Sequence, residues 1–249
     1  MTAVVPALDP PPLRTMEDMG MAGMNHGSMN HGSMQPMQMK HTEHAPSHPD
    51  HASGMDMKHG QQGPPPPSVD PPSVNGDGVD PATLAGRPFV DNVAMAPKSR
   101  VDEPGTGLEN NGRRVLTYSQ LRALQPAKAS GPVERSIEFH LTGNMHRWTW
   151  GFDGIKFSDA EVIRVKLGER IRFVLTNDTM MEHPIHLHGF VFEVENGQTD
   201  RLPIKHTINV KPGSRVSFVY TAHTPGHWAF HCHLLYHMET GMFRTVVVS

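Results

Sequence analysis

With 22 Lys and Arg against 25 Asp and Glu, a formal net charge of -3 and 249 residues, the chain lacks the basic excess of a nucleic-acid binder. No stretch approaches the roughly 18 consecutive apolar residues that a membrane-spanning helix needs. A single cysteine excludes an internal disulfide.

The composition changes along the chain. The first 130 or so residues are rich in Met, His, Pro, Gly and Asp, whereas all three tryptophans and most long apolar side chains follow residue 135, so one folded domain is expected. Residues 1–10 have no basic opening, no apolar core and no cleavage signature, and do not read as a secretory signal. Residues 16–60 form a methionine and histidine tract. Met24-Asn-His-Gly-Ser and Met29-Asn-His-Gly-Ser repeat before Met34, and more methionines and histidines follow up to His59. Thioethers favour Cu(I) and imidazoles accept Cu(II), so Met24, His26, Met29, His31, Met34, Met37 and Met39 are candidate auxiliary copper ligands. The surrounding Gly, Ser, Pro and Asn offer too little apolar surface to fold unaided, and a disordered segment over 1–60 is expected.

Residues 61–132 read as a Pro/Gly-rich linker, with stiff polyproline at Pro64–Pro67. Thr117-Tyr-Ser-Gln120 has the form of a capping box and predicts a short helix near 118–125, ending by Pro126. Over 133–249 the period is two. Ile137, Phe139 and Leu141 alternate along one face, as do Ile171, Phe173 and Leu175, and Val216, Phe218 and Tyr220. Turn residues such as Asp153-Gly154 and Asn196-Gly197 separate roughly eight or nine short strands. An all-β Greek-key sandwich or barrel is the expected fold. Trp148 and Trp150 read as packing residues within it.

Two clusters carry the chemistry. In His231-Cys232-His233, alternation on a strand sends Cys232 to one face and both histidines to the other. His237 and Met242 follow in a short loop. Thiolate, imidazole and a weak thioether are three of the four donors of an electron-transfer copper site, which needs one more histidine. His183-Pro184-Ile185-His186-Leu187-His188 supplies it: Pro184 favours extended backbone at His183, while His186 and His188 share the opposite face. His183 then joins Cys232, His237 and Met242, and His186 and His188 join His231 and His233.

His-x-x-His-x-His and His-Cys-His-x-x-x-His-x-x-x-x-Met resemble, without a gap, the third and fourth copper motifs of the multicopper oxidases. The resemblance implies a cupredoxin-like, plastocyanin-like domain. It makes His183, Cys232, His237 and Met242 type 1 copper ligands, His186 a type 2 ligand, and His188, His231 and His233 type 3 ligands. It further implies that electrons from a reducing substrate, Cu(I) or a phenol, pass through Cys232 and its flanking histidines to a trinuclear cluster that reduces dioxygen. That cluster takes eight histidines in the family, and this chain offers four of them. The others come from His-x-His motifs in an N-terminal cupredoxin domain, so this chain resembles the C-terminal portion of a copper-resistance protein A type oxidase of the bacterial periplasm, with type 2 and type 3 copper held only if other domains or a partner chain complete the cluster. A non-catalytic copper-sequestering or electron-transfer module is the alternative.

Overall fold

The computed structural model describes residues 79–126 and 131–249. Eleven strands run through them: β1 (Arg135–Asn144), β2 (Thr149–Phe152), β3 (Ile163–Val165), β4 (Arg170–Asn177), β5 (His183–Leu187), β6 (Phe192–Val194), β7 (Ile204–Lys205), β8 (Thr207–Val210), β9 (Arg215–Thr221), β10 (Gly226–Cys232) and β11 (Phe243–Val248). They form two sheets, ordered β2-β1-β4-β9-β6-β7 and β3-β11-β10-β5-β8. Pairing is antiparallel except for β1 with β4 and β3 with β11. This is the expected all-β, cupredoxin-like arrangement of two sheets. Strands outnumber the expectation because Thr149–Phe152 and Ile204–Lys205 add β2 and β7 and because the stretch 184–195 divides into β5 and β6.

The core follows from alternation. Phe139 and Leu141 of β1, Ile171, Phe173 and Leu175 of β4, and Phe218 and Tyr220 of β9 point inward from one sheet. Ile185 and Leu187 of β5, Phe230 of β10, and Val246 and Val248 of β11 meet them from the other. The rings interlock: Phe173 lies edge-on to Phe139 at 5.1 Å and to Phe230 at 5.2 Å. Outward positions of the six-stranded sheet carry charge. Arg172 holds Glu195 through two hydrogen bonds of 2.8 and 2.7 Å, and Arg215 holds Glu138 through two of 3.0 Å. Partly exposed pairs of this kind contribute about 0–1 kcal/mol each, against about 1.5–3 kcal/mol for each buried large apolar side chain, so the core dominates stability.

Residues 91–103 lie along the end of the sheet where β1 and β4 finish and β9 begins, Arg87 and Val90 lie at the turn after β2, and residues 118–124 lie beside Asn196 and Arg201. Helix α1 (Pro81–Leu84) opens with Asp80 accepting from the Ala82 amide and with Pro81 in the first turn, and Leu84 is fully buried. Ala94 N–H donates to Asp178 Oδ1, the Arg215 amide donates to Lys98 O, and Lys211 Nζ donates to Glu103 O. Val101 is buried in the core. The helix expected near 118–125 is reduced to a single 3-10 turn, Tyr118–Gln120. The Thr117 amide does donate to Gln120 Oε1, but Leu121 turns extended and Asn196 Nδ2 donates to the carbonyls of Tyr118 and Leu121, drawing the chain onto the sandwich in place of further helical turns. Among the described residues no helix is long and apolar enough to cross a membrane.

Candidate metal centre

The register of β5 against β10 decides which side chains share a face. Cys232 lies opposite Ile185, His231 opposite His186, and Phe230 opposite Leu187. Alternation therefore turns Cys232 inward with Ile185, and His183, two residues earlier on β5, inward beside them. His231 and His186 turn outward as a pair. After β10 the chain makes one helical turn, α2 (Leu235–Glu239), which carries His237 back to the buried side. The loop closes on itself through backbone hydrogen bonds, Met242 N–H to His237 O at 2.9 Å and Cys232 N–H to Met242 O at 3.1 Å. Met242 is fully buried beside them.

Three donor atoms converge. Cys232 Sγ is 3.7 Å from His183 Nδ1 and 3.7 Å from His237 Nδ1, and the two Nδ1 atoms are 3.1 Å apart. Among the described residues this is the one set of three His, Cys, Asp or Glu side chains whose ligand atoms all lie within 4.8 Å of one another. Bonds of about 2.0–2.1 Å to imidazole and about 2.3 Å to thiolate, opened to trigonal or tetrahedral angles, give triangle edges of about 3.3–3.8 Å, so the two sulfur edges fall inside the range and the nitrogen–nitrogen edge about 0.2 Å below it. The observed triangle fits a single metal ion. A soft thiolate with two imidazoles is a donor set that suits copper, and the fully buried Met242 is tied by its backbone to both His237 and Cys232.

The surroundings prepare these donors. Asn177 Nδ2 donates to Met181 O and Val210 O, which leaves Asn177 Oδ1 to accept the Thr179 hydroxyl proton at 2.9 Å. Thr179 Oγ1 in turn accepts from His183 Nε2 at 2.7 Å. That network assigns the proton of His183 to Nε2 and turns the Nδ1 lone pair toward Cys232. Burial drives the His183 pKa well below the ordinary histidine range and brings that of His237 down to about 4, so both imidazoles are neutral at neutral pH. Burial also pushes the Cys232 thiol up to about 12, against the smaller effect of the Leu234 amide hydrogen bond. The thiolate forms here only when a cation replaces its proton.

The outward face carries the other four histidines. His186 Nδ1 donates to His206 O at 2.6 Å and His231 Nδ1 donates to Cys232 O at 2.9 Å, which frees Nε2 of each ring. His188 Nε2 and His231 Nε2 are 3.0 Å apart. His186 lies with its ring centre 4.5 Å from His188 and 5.7 Å from His233. His188 and His233 are exposed, so this half-shell opens outward. Burial lowers the pKa of His186 and His231.

Residues 131–249 match the family described as multicopper oxidase. A copper resistance protein A homolog from Pseudomonas syringae pv. tomato is 48% identical over the whole of this chain and 40% of its own length. Copper resistance protein A of Escherichia coli is 44% identical over the whole of this chain and 42% of its own length. Residues 131–249 belong to the multicopper oxidase family. The chain spans about two fifths of the length of those curated relatives. A solved multicopper oxidase that functions in iron import, Fet3p, superposes on 59% of this chain and 37% of its own, with 18% identity and a TM-score of 0.49.

Copper is the cofactor that membership of the multicopper oxidases implies, and the buried Cys232, His183 and His237 triangle fits it on donor chemistry and spacing. Three features of the site escape sequence reasoning. Thr179 and Asn177 fix the His183 ring, and nothing in their spacing announces it. The His206 carbonyl orients His186, although His206 belongs to neither motif. Trp150 lies on the ring of His237, a placement that the Trp148-Thr-Trp150 pattern does not encode. Met24, His26, Met29, His31, Met34, Met37 and Met39 lie outside the described residues.

Proposed function

We propose that this chain is the electron-accepting part of a copper-resistance multicopper oxidase, with His183, Cys232, His237 and Met242 as type 1 copper ligands. His186 is then a type 2 ligand, and His188, His231 and His233 are type 3 ligands in half of a trinuclear site. Bound copper would supply one-electron redox chemistry at the inner site and, once the outer set is completed, dioxygen reduction.

The residues of this chain do the remaining work. Thr179 holds the His183 proton on Nε2, the Leu234 amide donates to the Cys232 sulfur, and the loop from Cys232 to Met242 shields the donors from water. The observation that carries the proposal is the position of Cys232: its side chain closes the inner triangle while its own backbone continues directly into His231 and His233 of the outer half-shell. A covalent bridge of a few bonds therefore joins the two faces.

The reducing substrate, Cu(I) or a phenol, and dioxygen are proposed from family membership, as are the periplasm as compartment and a partner set of N-terminal cupredoxin domains. The methionine and histidine tract of residues 1–60 is proposed to gather copper for the domain at 133–249, with 61–132 joining them. One observation favours a second reading: the outer face presents four family histidines where eight are required, so the chain alone acts as a copper-holding and electron-transfer module. Copper stoichiometry, visible and paramagnetic resonance spectra, and oxygen uptake with Cu(I) or a phenol separate the two. About four coppers per functional unit with oxygen consumption supports the oxidase; one blue copper without oxygen uptake supports the module; no blue copper at all contradicts both.

A further inference from the structure

The two imidazoles of the inner triangle are held in different ways. His183 is tied through Nε2 to Thr179, whereas Nε2 of His237 has no hydrogen-bond partner among the described residues and lies at the solvent edge of the site rather than sealed inside it. What lies against His237 is an aromatic face. Trp150, 1% exposed, stacks on its imidazole with ring centres 4.2 Å apart and planes inclined by 22°. The tryptophan is placed there at some cost, because its buried Nε1 has no hydrogen-bond partner among the described residues.

Neighbouring residues are shaped around that ring. A Cβ at Gly143 would come within 2.8 Å of Trp150 Cδ1, so only glycine leaves the indole room. Tyr236 and Trp148 meet Trp150 edge-on at 5.7 and 6.2 Å and, each about half exposed, cover its outer margin. Trp148 is held at φ 50°, a left-handed conformation that a bulky side chain adopts only under constraint from its surroundings. Packing for volume alone does not require a near-parallel stack on one particular imidazole.

From this geometry we propose that Trp150 is a positioning residue of the metal centre, clamping His237 so that Nδ1 faces Cys232 Sγ and His183 Nδ1, and keeping water off the covered face of the ring. The proposal rests on the copper reading of the inner triangle. It replaces for His237 the hydrogen bond that Thr179 provides for His183.

The test uses the full chain with Trp150→Phe, Trp150→Leu and Gly143→Ala. In the metal-free protein, nitrogen-resolved histidine NMR should give one sharp set of His237 ring signals, shifted upfield by the indole face. Trp150→Phe should keep a reduced upfield shift; Trp150→Leu should lose it and broaden the signals. Gly143→Ala, which tilts the indole without touching a ligand, should weaken the shift, and this variant decides the matter if Trp150→Leu fails to fold. With Cu(II), followed by the thiolate-to-copper absorption, Trp150→Leu should bind about 2- to 10-fold more weakly, the range an aromatic pair is worth, with Trp150→Phe close to wild type. Wild-type His237 signals in both Trp150→Leu and Gly143→Ala, or wild-type Cu(II) affinity in folded Trp150→Leu, would overturn the proposal alone. A wild-type chain without thiolate-to-copper absorption would overturn the copper reading and the proposal with it.

Discussion

Copper uptake at the inner triangle should be coupled to the release of one proton, and the structure sets both the sign and the size of the pH dependence. The Cys232 thiol is pushed up to about 12 by burial, so at pH 7 only about one part in 10⁵ is thiolate, and displacing its proton costs about 7 kcal/mol relative to a preformed thiolate. Burial keeps His237 near 4 and holds His183 well below the ordinary histidine range, so neither imidazole carries a proton to lose between pH 6 and 8. Affinity should therefore rise about tenfold per pH unit in that window, about 100-fold or 2.7 kcal/mol in all. Below about pH 4 the dependence should steepen as His237 protonates. Competition against a chelator of known protonation behaviour, read through the thiolate-to-copper absorption, measures the slope for this site separately from the outer histidines. A flat profile would mean that Cys232 is already ionised or is not a ligand. A slope of two across pH 6–8 would mean that a buried imidazole is protonated there, contrary to its surroundings.

Other outcomes follow from the same geometry. Cys232→Ser should abolish the intense visible absorption on Cu(II) loading while leaving the fold intact by circular dichroism; retained colour would refute the inner triangle. Thr179→Val removes the acceptor for His183 Nε2 and should cost about 1–3 kcal/mol of metal-free stability in urea unfolding, with weaker Cu(II) binding; an unchanged midpoint would show that the His183 tautomer is set elsewhere. Phe173→Ala, at the crossing of several core rings, should cost about 3–5 kcal/mol, and a loss under about 1 kcal/mol would contradict the core as described. In the metal-free chain His237 should weaken the fold in acid: its folded value near 4 lies below the ordinary 6.5, the unfolded chain binds the proton first, and stability should fall as pH drops through that interval, by about 2 kcal/mol at pH 5 from this residue. A metal-free chain equally stable at pH 5 and 7 would refute the buried neutral ring.

The meeting of His183, Cys232 and His237 was legible because it depends on parity along two strands and on one short return loop. His186 and His231 separate from Cys232 by the same rule, and the strands that carry the core announce themselves through Phe139, Phe173 and Phe218. What depends on contacts across the fold was not legible. Leu84 and Val101 sit in a stretch whose proline and glycine content suggests a bare spacer, yet both are buried once the chain lies along the sandwich. The capping box at Thr117 is genuine, but Asn196, some 75 residues away, takes the carbonyls of Tyr118 and Leu121 as the segment turns extended. Trp150 and Thr179 acquire their places against the two imidazoles from tertiary packing, and no local pattern encodes a partner brought in from another strand.

X-ray absorption at the copper edge, on the chain loaded with one equivalent of copper, reads the donor atoms themselves. One short sulfur neighbour with two imidazole nitrogens is expected, with loss of the sulfur shell in Cys232→Ser. A first shell of nitrogen and oxygen alone would place the metal on the outer histidines or on histidines of residues 16–60, and a sulfur shell that survives in Cys232→Ser would place it on methionines; either would contradict the inner triangle as the copper site.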